Sequence, residues 1–395
     1  MFALSEQDRK AATRFLQDLV RTPSLSHHEG NVAHRIADEM QRVGFAEVRI
    51  DRIGNVVGRV GHADGAPCLL YNGHMDTVGV GDPAAWKRDP FGGEIVNGVL
   101  YGRGACDMKG AIAAMVYGAK LLLEAGTPLA GPLYVVGIAQ EEPCEGLAMR
   151  VLVEEEGLRP DFVVLGEATD LHLSRGQRGR MEIKVTARGR ASHGSAPHRG
   201  DNAIYKAARL IRELEAVAAD LPTHPEMGRA TLAVTFIENT GGSRNVIPDS
   251  CSFYIDRRLV LGETAASVLA SIHALVERSG IEADVALTEH VSTSWTGYAC
   301  RAPEYYPPWL MPADHPFVCA AVHTVEETLG YTPELRQWDF STDGVYTQGT
   351  AGIPTIGFGP GDERYAHTVD DQIRLEDVFK AAAVYARLAV EILKV

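Results

Sequence analysis

Several short apolar runs of this sequence each end in a histidine or an acidic residue. The runs, with the polar residues that follow them, are Cys68–Tyr71 with His74 and Asp76, Val135–Gln140 with Glu141 and Glu142, and Phe162–Gly166 with Glu167. Apolar runs of this length, bounded by turn residues, are typical of buried strands. Ligand sites in open α/β sheets lie at the carboxyl ends of the strands, so these polar side chains are predicted to meet at one sheet edge.

Two further motifs carry candidate metal ligands. The Gly-rich turn Gly102–Gly104 delivers Asp107 to the start of a helix, and the apolar segment Pro354–Phe358 precedes a Gly-Pro-Gly turn and His367. Taken alone, Asp107 is typical of a helix N-cap, and the His74-x-Asp76 pair is typical of a solvated loop. Gathered at one edge, two histidines and several carboxylates suit a pair of zinc-like ions.

The bulk composition excludes some classes of protein. A chain of 395 residues suggests two or three folding units, and its net charge of −14 argues against a nucleic-acid partner because it offers no basic stripe for phosphates. Six scattered cysteines with no CxxC pair favour a reducing compartment. The sequence has no signal peptide and no apolar run long enough to span a membrane, so we expect a cytoplasmic protein without a membrane partner.

The order of predicted elements gives the fold class. Strands and helices alternate up to Gly179, which favours an α/β fold with a mainly parallel, helix-covered sheet. Residues 180–294 instead follow the β-α-β-β-α-β order of an α+β, ferredoxin-like unit, and the α/β pattern resumes at residue 295. We therefore predict a catalytic domain of residues 1–179 and 295–395 interrupted by a small inserted domain. The Pro-rich segment 301–312 is expected to be an ordered loop or lid.

Together these motifs resemble the M20 family of co-catalytic metallopeptidases and deacylases. Within it, Arg175–Ile183, His193–Pro197 and Ser294–Gly297 are most similar to the YgeY-type hydrolases. The similarity covers nearly the whole chain. It implies a zinc-hydrolase catalytic domain, an insertion that serves as a lid and dimerisation domain, and a homodimer.

The resemblance also implies a role for each metal motif. Asp107 would bridge two ions, His74 and Glu167 would complete one site, and Glu142 and His367 would complete the other. Zinc is the ion expected, with cobalt or manganese as alternatives. The other acidic residues near His367 are expected to be solvated loop charges: Asp362, Glu363, Asp370 and Asp371.

Three residues would act on the reaction itself. Glu141 matches the general base of the family, which takes a proton from a metal-activated water and passes it to the leaving amine. Asp76 would hold the imidazole of His74 and raise its basicity. His193, in the insertion, would stabilise the tetrahedral oxyanion in the site of the other subunit.

Substrate contacts are assigned by the same resemblance. Asn245 and Arg258 match positions that hold a substrate carboxylate, and the planar fork of an arginine suits that group. Arg257 would point to the opposite face of its strand and is expected to be an exposed charge. Asp343 would meet a substrate amine or cap a helix. Glutamate at position 167 favours cleavage of an N-acyl or terminal amide bond beside a free carboxylate.

Three functions remain open from the sequence. The leading one is a metal-dependent hydrolase of an N-acyl amino acid or short peptide, which are small-molecule substrates. The second is a dipeptidase or aminopeptidase of the same family. The third, a catalytically inactive dimeric binding protein, is disfavoured because every ligand type, the base and the accompanying acid are present.

Overall fold

The larger layer of the protein is a nine-stranded sheet, in a computed structural model that describes residues 2–394. Its strands, from edge to edge, are Glu47–Ile50, Val56–Val60, Leu133–Ile138, Leu69–His74, Phe162–Leu165, Thr355–Gly357, Leu173–Gln177 and Trp309–Leu310, with Leu335–Trp338 beside Leu173–Gln177. The four central strands run parallel, and antiparallel strands extend both edges. The predicted α/β fold with a mainly parallel sheet is confirmed.

Helices pack on this sheet and on a second, smaller sheet. Within residues 2–394, the helices of eight or more residues are Glu6–Arg21, Gly30–Val43, Gly110–Ala125, Ala203–Val217, Ala265–Ser279, Pro316–Leu329 and Leu375–Ile392. Shorter helical turns lie at Pro83–Ala85, Ala105–Lys109, Leu147–Arg150, Val151–Glu155, Pro197–Arg199, Ala218–Asp220, Gly344–Thr347 and Glu363–Tyr365. Ser5 caps the first helix by accepting the N–H of Asp8 at 3.1 Å. The helix that follows the Gly-rich turn begins at Gly110, because Asp107 and Met108 have non-helical dihedral angles.

The central strands are buried on both faces between helices. Gly110–Ala125 is apolar almost all round and packs against both the sheet and Leu375–Ile392. The buried hydroxyl of Tyr71, on the central strand, donates to the carbonyl oxygen of Tyr385 at 2.6 Å. This contact ties the strand that ends at His74 to the C-terminal helix.

A second, separate sheet is antiparallel. Its strands, in order, are Thr231–Asn239, Ser250–Leu259, Gly179–Arg188 and Ala283–Leu287, with Tyr305–Tyr306 beside Gly179–Arg188. Numbered along the chain, the four main strands are arranged 2-3-1-4, and Ala203–Val217 and Ala265–Ser279 pack on them around a core of their own. This is the predicted ferredoxin-like arrangement. The domain boundaries drawn at residues 180 and 295 stay a prediction, since Tyr305–Tyr306 joins this sheet from beyond them.

The segment 301–312 is not a loop. It contains the end of the strand Ala299–Pro303, followed by the short strands Tyr305–Tyr306 and Trp309–Leu310. Ala299–Pro303 pairs with Glu289–Thr293 to form a hairpin. The prolines of this segment argue against strands in the sequence, but proline is tolerated at strand ends and sheet edges.

The tip of this hairpin packs against the turn between the first two strands of the large sheet. The indole of Trp295 lies against Gly30 and Gly54, and a Cβ added to Gly54, where φ is +107°, would come within 2.1 Å of the indole nitrogen. Trp295 also donates its indole N–H to the Gly54 carbonyl oxygen at 3.3 Å. Glycine at position 54 is therefore required by both its backbone conformation and its contact.

The remaining strands form small sheets. These are Glu94–Val96, Val99–Tyr101 and Gln372–Arg374 in one, Ser192–His193 with Val246–Ile247, and Thr223–His224 with Gly228–Arg229. All six cysteines are free thiols, consistent with the absence of a disulfide framework. Within residues 2–394, the structure has no helix with the length and apolarity needed to cross a membrane.

Candidate metal centre

Three central strands deliver their polar residues to one edge of the large sheet. Leu69–His74 lies between Leu133–Ile138 and Phe162–Leu165, and all three are parallel. Because His74 pairs with Ile138, the residues that follow each strand emerge at the same level. This register brings together the side chains that the sequence placed after separate strands.

The carboxylate of Asp107 lies between two histidines. Its Oδ1 is 2.8 Å from Nε2 of His74, and its Oδ2 is 3.0 Å from Nε2 of His367. The His74 side chain is 2% exposed and the His367 side chain is 53% exposed, so one end of the Asp107 carboxylate faces the interior and the other faces the open side. Each carboxylate oxygen thus faces a different imidazole, as a carboxylate shared by two ions requires.

Two glutamates complete this cluster. Oε2 of Glu142 is 3.1 Å from Nε2 of His367, and Oε1 of Glu167 is 3.8 Å from Nε2 of His74. Candidate ligand atoms of His74, Asp107 and Glu142 lie within 4.8 Å of one another, and so do those of His74, Glu141 and Glu167. The structure therefore brings all five predicted ligands, and the predicted base, into one cluster.

This set of side chains fits divalent cations. Burial raises the pKa of Glu167 to about 8 and raises the pKa of Glu141 well above its usual value, since nearby carboxylates add to the cost of charge. The side chain of Glu141 is buried, and its Oε1 has no hydrogen-bond partner among the described residues. Buried carboxylates of this kind are costly unless a cation is present, and imidazole with carboxylate is a donor set that zinc accepts.

Asp76 supports the cluster differently from what the sequence predicted. Nδ1 of His74 lies 2.9 Å from the main-chain carbonyl oxygen of Asp76 and 3.7 Å from its carboxylate. The carboxylate instead accepts the main-chain N–H groups of Glu141 and Glu142 at 3.1 and 3.2 Å, and the hydroxyl of Ser26 at 2.7 Å. Asp76 therefore orients His74 through its backbone and fixes the Glu141-Glu142 pair through its side chain.

The residues just before this pair are held in the same way. The N–H of Ala139 donates to Oδ1 of Asn55 at 2.9 Å, and the N–H of Gln140 donates to Oε1 of Glu29 at 3.0 Å. Gln140 adopts a left-handed conformation with φ +56°, which such contacts must stabilise. Four consecutive N–H groups, from residue 139 to residue 142, thus donate to buried side chains. No local pattern in the sequence points to Glu29 or Asn55.

Asp371 is a buried anchor, not a solvated charge. It is 1% exposed and accepts the N–H groups of Gly104 and Cys106 at 2.7 and 2.9 Å. Arg103 is 3.2 Å from the same carboxylate. These bonds fix the turn that presents Asp107. The expectation of a solvated loop charge was wrong here because the segment after His367 folds back onto that turn.

Asp343 is buried beside the cluster, and a contact between it and a substrate amine stays a prediction. Its buried carboxylate accepts the side-chain N–H of Asn72 at 2.7 Å and the N–H of Gly146 at 2.8 Å. It makes no side-chain cap to the helical turn that follows it. Asp343 therefore holds two backbone segments next to the cluster.

A cavity of about 410 Å³ opens onto this cluster. Besides the metal-site residues it is lined by Glu145, Ala168, Arg180, Arg258, Phe340, Ser341, Glu363 and Ala366. Arg180 and Arg258 lie directly opposite each other on neighbouring strands of the small sheet. The two nitrogens of the Arg258 fork are 2.8 and 3.2 Å from Asp256, which is also 3.5 Å from Arg180.

The small sheet thus contributes two cations to a cavity whose other wall carries the metal cluster. Of the pair, the sequence predicted only Arg258. Arg180 was missed because its position opposite Arg258 depends on strand register, which the sequence does not reveal. The sequence signal that could have found Arg180 is the alternation of polar and apolar residues along its strand, in which the neighbouring Met181 is buried.

Residues 70–391 match the sequence profile of peptidase family M20/M25/M40. This chain belongs to that family. It is 42% identical over 376 residues to the uncharacterised protein YgeY of Escherichia coli K12, a match that covers 95% of this chain and 93% of YgeY. It is 32% identical over 387 residues to succinyl-diaminopimelate desuccinylase of Cereibacter sphaeroides, covering 94% of this chain and 96% of that enzyme.

A solved M20 structure shares the fold. The Bacillus subtilis YXEP protein, described as a dinuclear metal binding peptidase from the M20 family, aligns with a TM-score of 0.70 at 17% identity and covers 99% of both chains. The predicted resemblance to the M20 family and to its YgeY-type members is therefore confirmed, and the chain is an M20 family hydrolase.

Two predicted site residues of this M20 chain lie away from its metal cluster. Ser192–His193 pairs with Val246–Ile247, and the N–H of Gly194 donates to the Asn245 carbonyl oxygen at 2.6 Å. The structure therefore brings His193 and Asn245 to each other, but neither lines the cavity within residues 2–394. The His193 side chain is exposed and bonds to the Ser195 hydroxyl at 2.7 Å.

Arg257 is also placed differently from the prediction. It points away from Arg258 as expected, but it is 2% exposed and pairs with the carboxylate of Glu263. It also contacts the Thr231 carbonyl oxygen at 3.3 Å. Arg257 is therefore a buried structural residue, not an exposed charge.

Proposed function

We propose that this protein hydrolyses the amide bond of an N-acyl amino acid or short peptide that has a free carboxylate, using two divalent metal ions. The observation that carries the proposal is the position of Asp107 between His74 and His367 beside a cavity that also contains Arg180 and Arg258. A shared carboxylate supports the metal pair, and the arginines support an anionic substrate.

Five residues would hold the ions, zinc being the ion we expect. His74, Asp107 and Glu167 would form one site, and Asp107, Glu142 and His367 would form the other. When bound, the ions would lower the pKa of water and polarise the amide carbonyl. The desuccinylase similarity and the glutamate at position 167 favour an acyl amide over a dipeptide as the substrate.

Glu141 would be the general base. Its carboxylate is part of the cluster, its Oε1 has no partner among the described residues, and its N–H is held by Asp76. Burial raises the pKa of Glu141, which makes its carboxylate a stronger proton acceptor than an exposed one. Glu141 would take the proton of the attacking water and deliver it to the nitrogen of the leaving amine.

Arg180 and Arg258 would bind the substrate carboxylate. Asp256 occupies one edge of the Arg258 fork and orients it, which leaves other donors of both arginines for a ligand. Two guanidinium groups on one rigid sheet would fix the distance from the carboxylate to the amide bond that is cleaved. Such fixed positioning accounts for much of the rate that enzymes achieve.

Residues 180–294 would form a lid, and the active form would be a homodimer. The small sheet carries both arginines, so its movement relative to the metal cluster would close the cavity on the substrate and exclude water. His193 and Asn245 do not line the cavity of their own chain, which supports their action in the site of a second subunit. There His193 would donate to the oxyanion and Asn245 would help to bind the substrate.

Metal analysis together with a substrate panel tests this function. Elemental analysis of the purified protein should give two divalent ions per chain. Amine release from N-acetyl, N-succinyl, N-carbamoyl and dipeptide substrates should show turnover of an acyl amino acid that a chelator abolishes and zinc restores. Turnover confined to dipeptides would establish the dipeptidase instead, and reconstituted protein without metal or turnover would leave a binding protein.

A further inference from the structure

Glu145 has a carboxylate in the cavity, with a buried Oε2, that neither the metal cluster nor the general base explains. Its side chain is 10% exposed, and its Oε2 has no hydrogen-bond partner among residues 2–394. It lines the same cavity as Arg180 and Arg258, and it belongs to neither group of clustered ligand atoms. A buried carboxylate oxygen without a donor is costly, so its position calls for a partner.

Glu145 is within ion-pair distance of Arg180, but other carboxylates also accompany the two arginines. Asp256 pairs with Arg258 and is 3.5 Å from Arg180, while Glu182 lies 3.9 Å from Arg180. Two carboxylates therefore already accompany the two guanidinium groups. Glu145 adds a third negative charge, with its Oε1 3.9 Å from Nη1 of Arg180 and its Oε2 left over. This excess of negative charge over the two guanidinium groups supports a positively charged group on the ligand.

We infer that Glu145 binds an ammonium group of the substrate, next to the carboxylate that Arg180 and Arg258 bind. This inference rests on the proposed function and specifies its substrate class. A negative and a positive side chain 3.9 Å apart match the two charges of an α-amino acid, which stand on a single carbon. The substrate therefore ends in an intact α-amino acid, and the amide that is cleaved lies on another nitrogen, as in an Nω-acyl diamino acid.

A pair of substrates isolates the ammonium group. Nε-acetyl-lysine and 6-acetamidohexanoate differ only in the α-ammonium, and both present the same amide and carboxylate. The zinc-loaded enzyme should hydrolyse Nε-acetyl-lysine with at least about tenfold higher kcat/KM, the ratio expected for one charge-assisted hydrogen bond. Nδ-acetylornithine and 5-acetamidopentanoate repeat the comparison with a shorter chain.

The substitution Glu145→Gln gives opposite results for the two possible roles. If Glu145 binds the ammonium, the variant should raise KM for Nε-acetyl-lysine about tenfold or more and leave KM for 6-acetamidohexanoate unchanged or lower. If Glu145 only balances Arg180, KM should fall for both substrates, which would overturn the inference. Glu182→Gln is the matched control, because Glu182 lies equally near Arg180 but does not line the cavity. It should leave the ratio of the two KM values unchanged.

Product inhibition tests the inference in the unmodified enzyme. Lysine should inhibit more strongly than 6-aminohexanoate, which lacks the α-ammonium, and equal inhibition would overturn the inference. Metal content is measured for every variant, since Glu145 lies three residues from Glu142. If the enzyme hydrolyses amides but does not discriminate between the paired substrates, only this inference fails. If it hydrolyses no amide, the proposed function fails.

Discussion

The carboxylate of Glu29 accepts the N–H of Gln140 at 3.0 Å, one residue before the proposed base Glu141. Both residues are fully buried. Glu29→Ala would leave that N–H without a partner, which costs about 1–3 kcal/mol and releases the backbone in front of Glu141. We expect kcat to fall at least about tenfold with KM unchanged, because small displacements of a catalytic group are costly.

Glu29→Gln provides the conservative comparison. A glutamine at position 29 keeps an oxygen that can accept the Gln140 N–H, so this variant should retain most of the wild-type kcat. Metal content, measured alongside, should equal two ions per chain in both variants. An alanine variant that is as active as the glutamine variant would show that this hydrogen bond does not position Glu141.

The raised pKa of Glu29 leads to a second prediction, which concerns the stability of the protein. Burial, and then the nearby Asp76, raise this pKa from 4.5 to about 7. Between these values the folded state holds a proton that the unfolded state has released, so Glu29 makes folding less favourable as the pH rises from 4.5 to 7. The effect is on the order of 3 kcal/mol, from about 1.4 kcal/mol for each unit of pKa.

Glutamine at position 29 does not titrate, so Glu29→Gln should gain stability relative to wild type as the pH rises. Urea denaturation of both metal-free proteins at pH 5 and pH 8 measures this change. Other titrating groups are common to both proteins and cancel in the difference. A difference in the free energy of unfolding that is the same at both pH values would contradict the assignment.

The metal cluster could be predicted from the sequence for a specific physical reason. Each of its residues follows a short apolar strand or a Gly-rich turn, and the carboxyl ends of parallel strands share one edge. Local pattern was therefore enough for His74, Glu142 and Glu167. A helix cap such as Ser5 can be predicted in the same way, since it acts within its own helix.

The residues that hold the cluster in place could not be predicted in this way. Glu29 lies 111 positions before Gln140, and Asp371 lies 267 positions after Gly104. Such contacts depend on how distant loops fold together, which no local periodicity encodes. Arg180 and Glu145 were missed for the same reason, because their significance comes from the strand register and from the cavity they share.

Substitutions of the metal ligands should remove ions in a defined pattern. Asp107 contacts both histidines, so Asp107→Ala should lose both ions, whereas His74→Ala and His367→Ala should each lose one. Elemental analysis after dialysis against zinc measures this. His193→Ala is the control and should keep both ions. Retention of two ions in Asp107→Ala would show that this carboxylate is not shared.

The roles of the adjacent glutamates can be separated. Glu141→Gln should keep both ions while kcat falls by ~10² to 10⁴, the usual contribution of a general base. Glu142→Gln should lose one ion, because Glu142 contacts His367 at 3.1 Å. Metal content and kcat of the two variants are measured together. If Glu141→Gln loses metal and Glu142→Gln retains it, the two roles are reversed.

His193 and Arg258 should affect different steps of catalysis. His193 would contact the oxyanion, which exists only along the reaction path, so His193→Ala should lower kcat more than it changes KM. The carboxylate that Arg258 would bind is charged throughout, so Arg258→Ala should mainly raise KM. Initial-rate kinetics with the substrate found in the panel distinguishes the two. Equal changes of KM in both variants would show that His193 does not act specifically on the oxyanion.

Complementation tests whether His193 acts across a dimer. The structure places His193 outside the cavity of its own chain, so its target would lie in the second subunit. Each of the variants His193→Ala and Glu141→Gln is expected to be nearly inactive alone. In a mixed dimer, the His193→Ala subunit keeps Glu141 and receives His193 from its partner, which completes one site. Mixing the two variants should therefore restore part of the activity. If subunit exchange is verified by mass spectrometry and no activity returns, His193 acts only within its own chain or takes no part in catalysis.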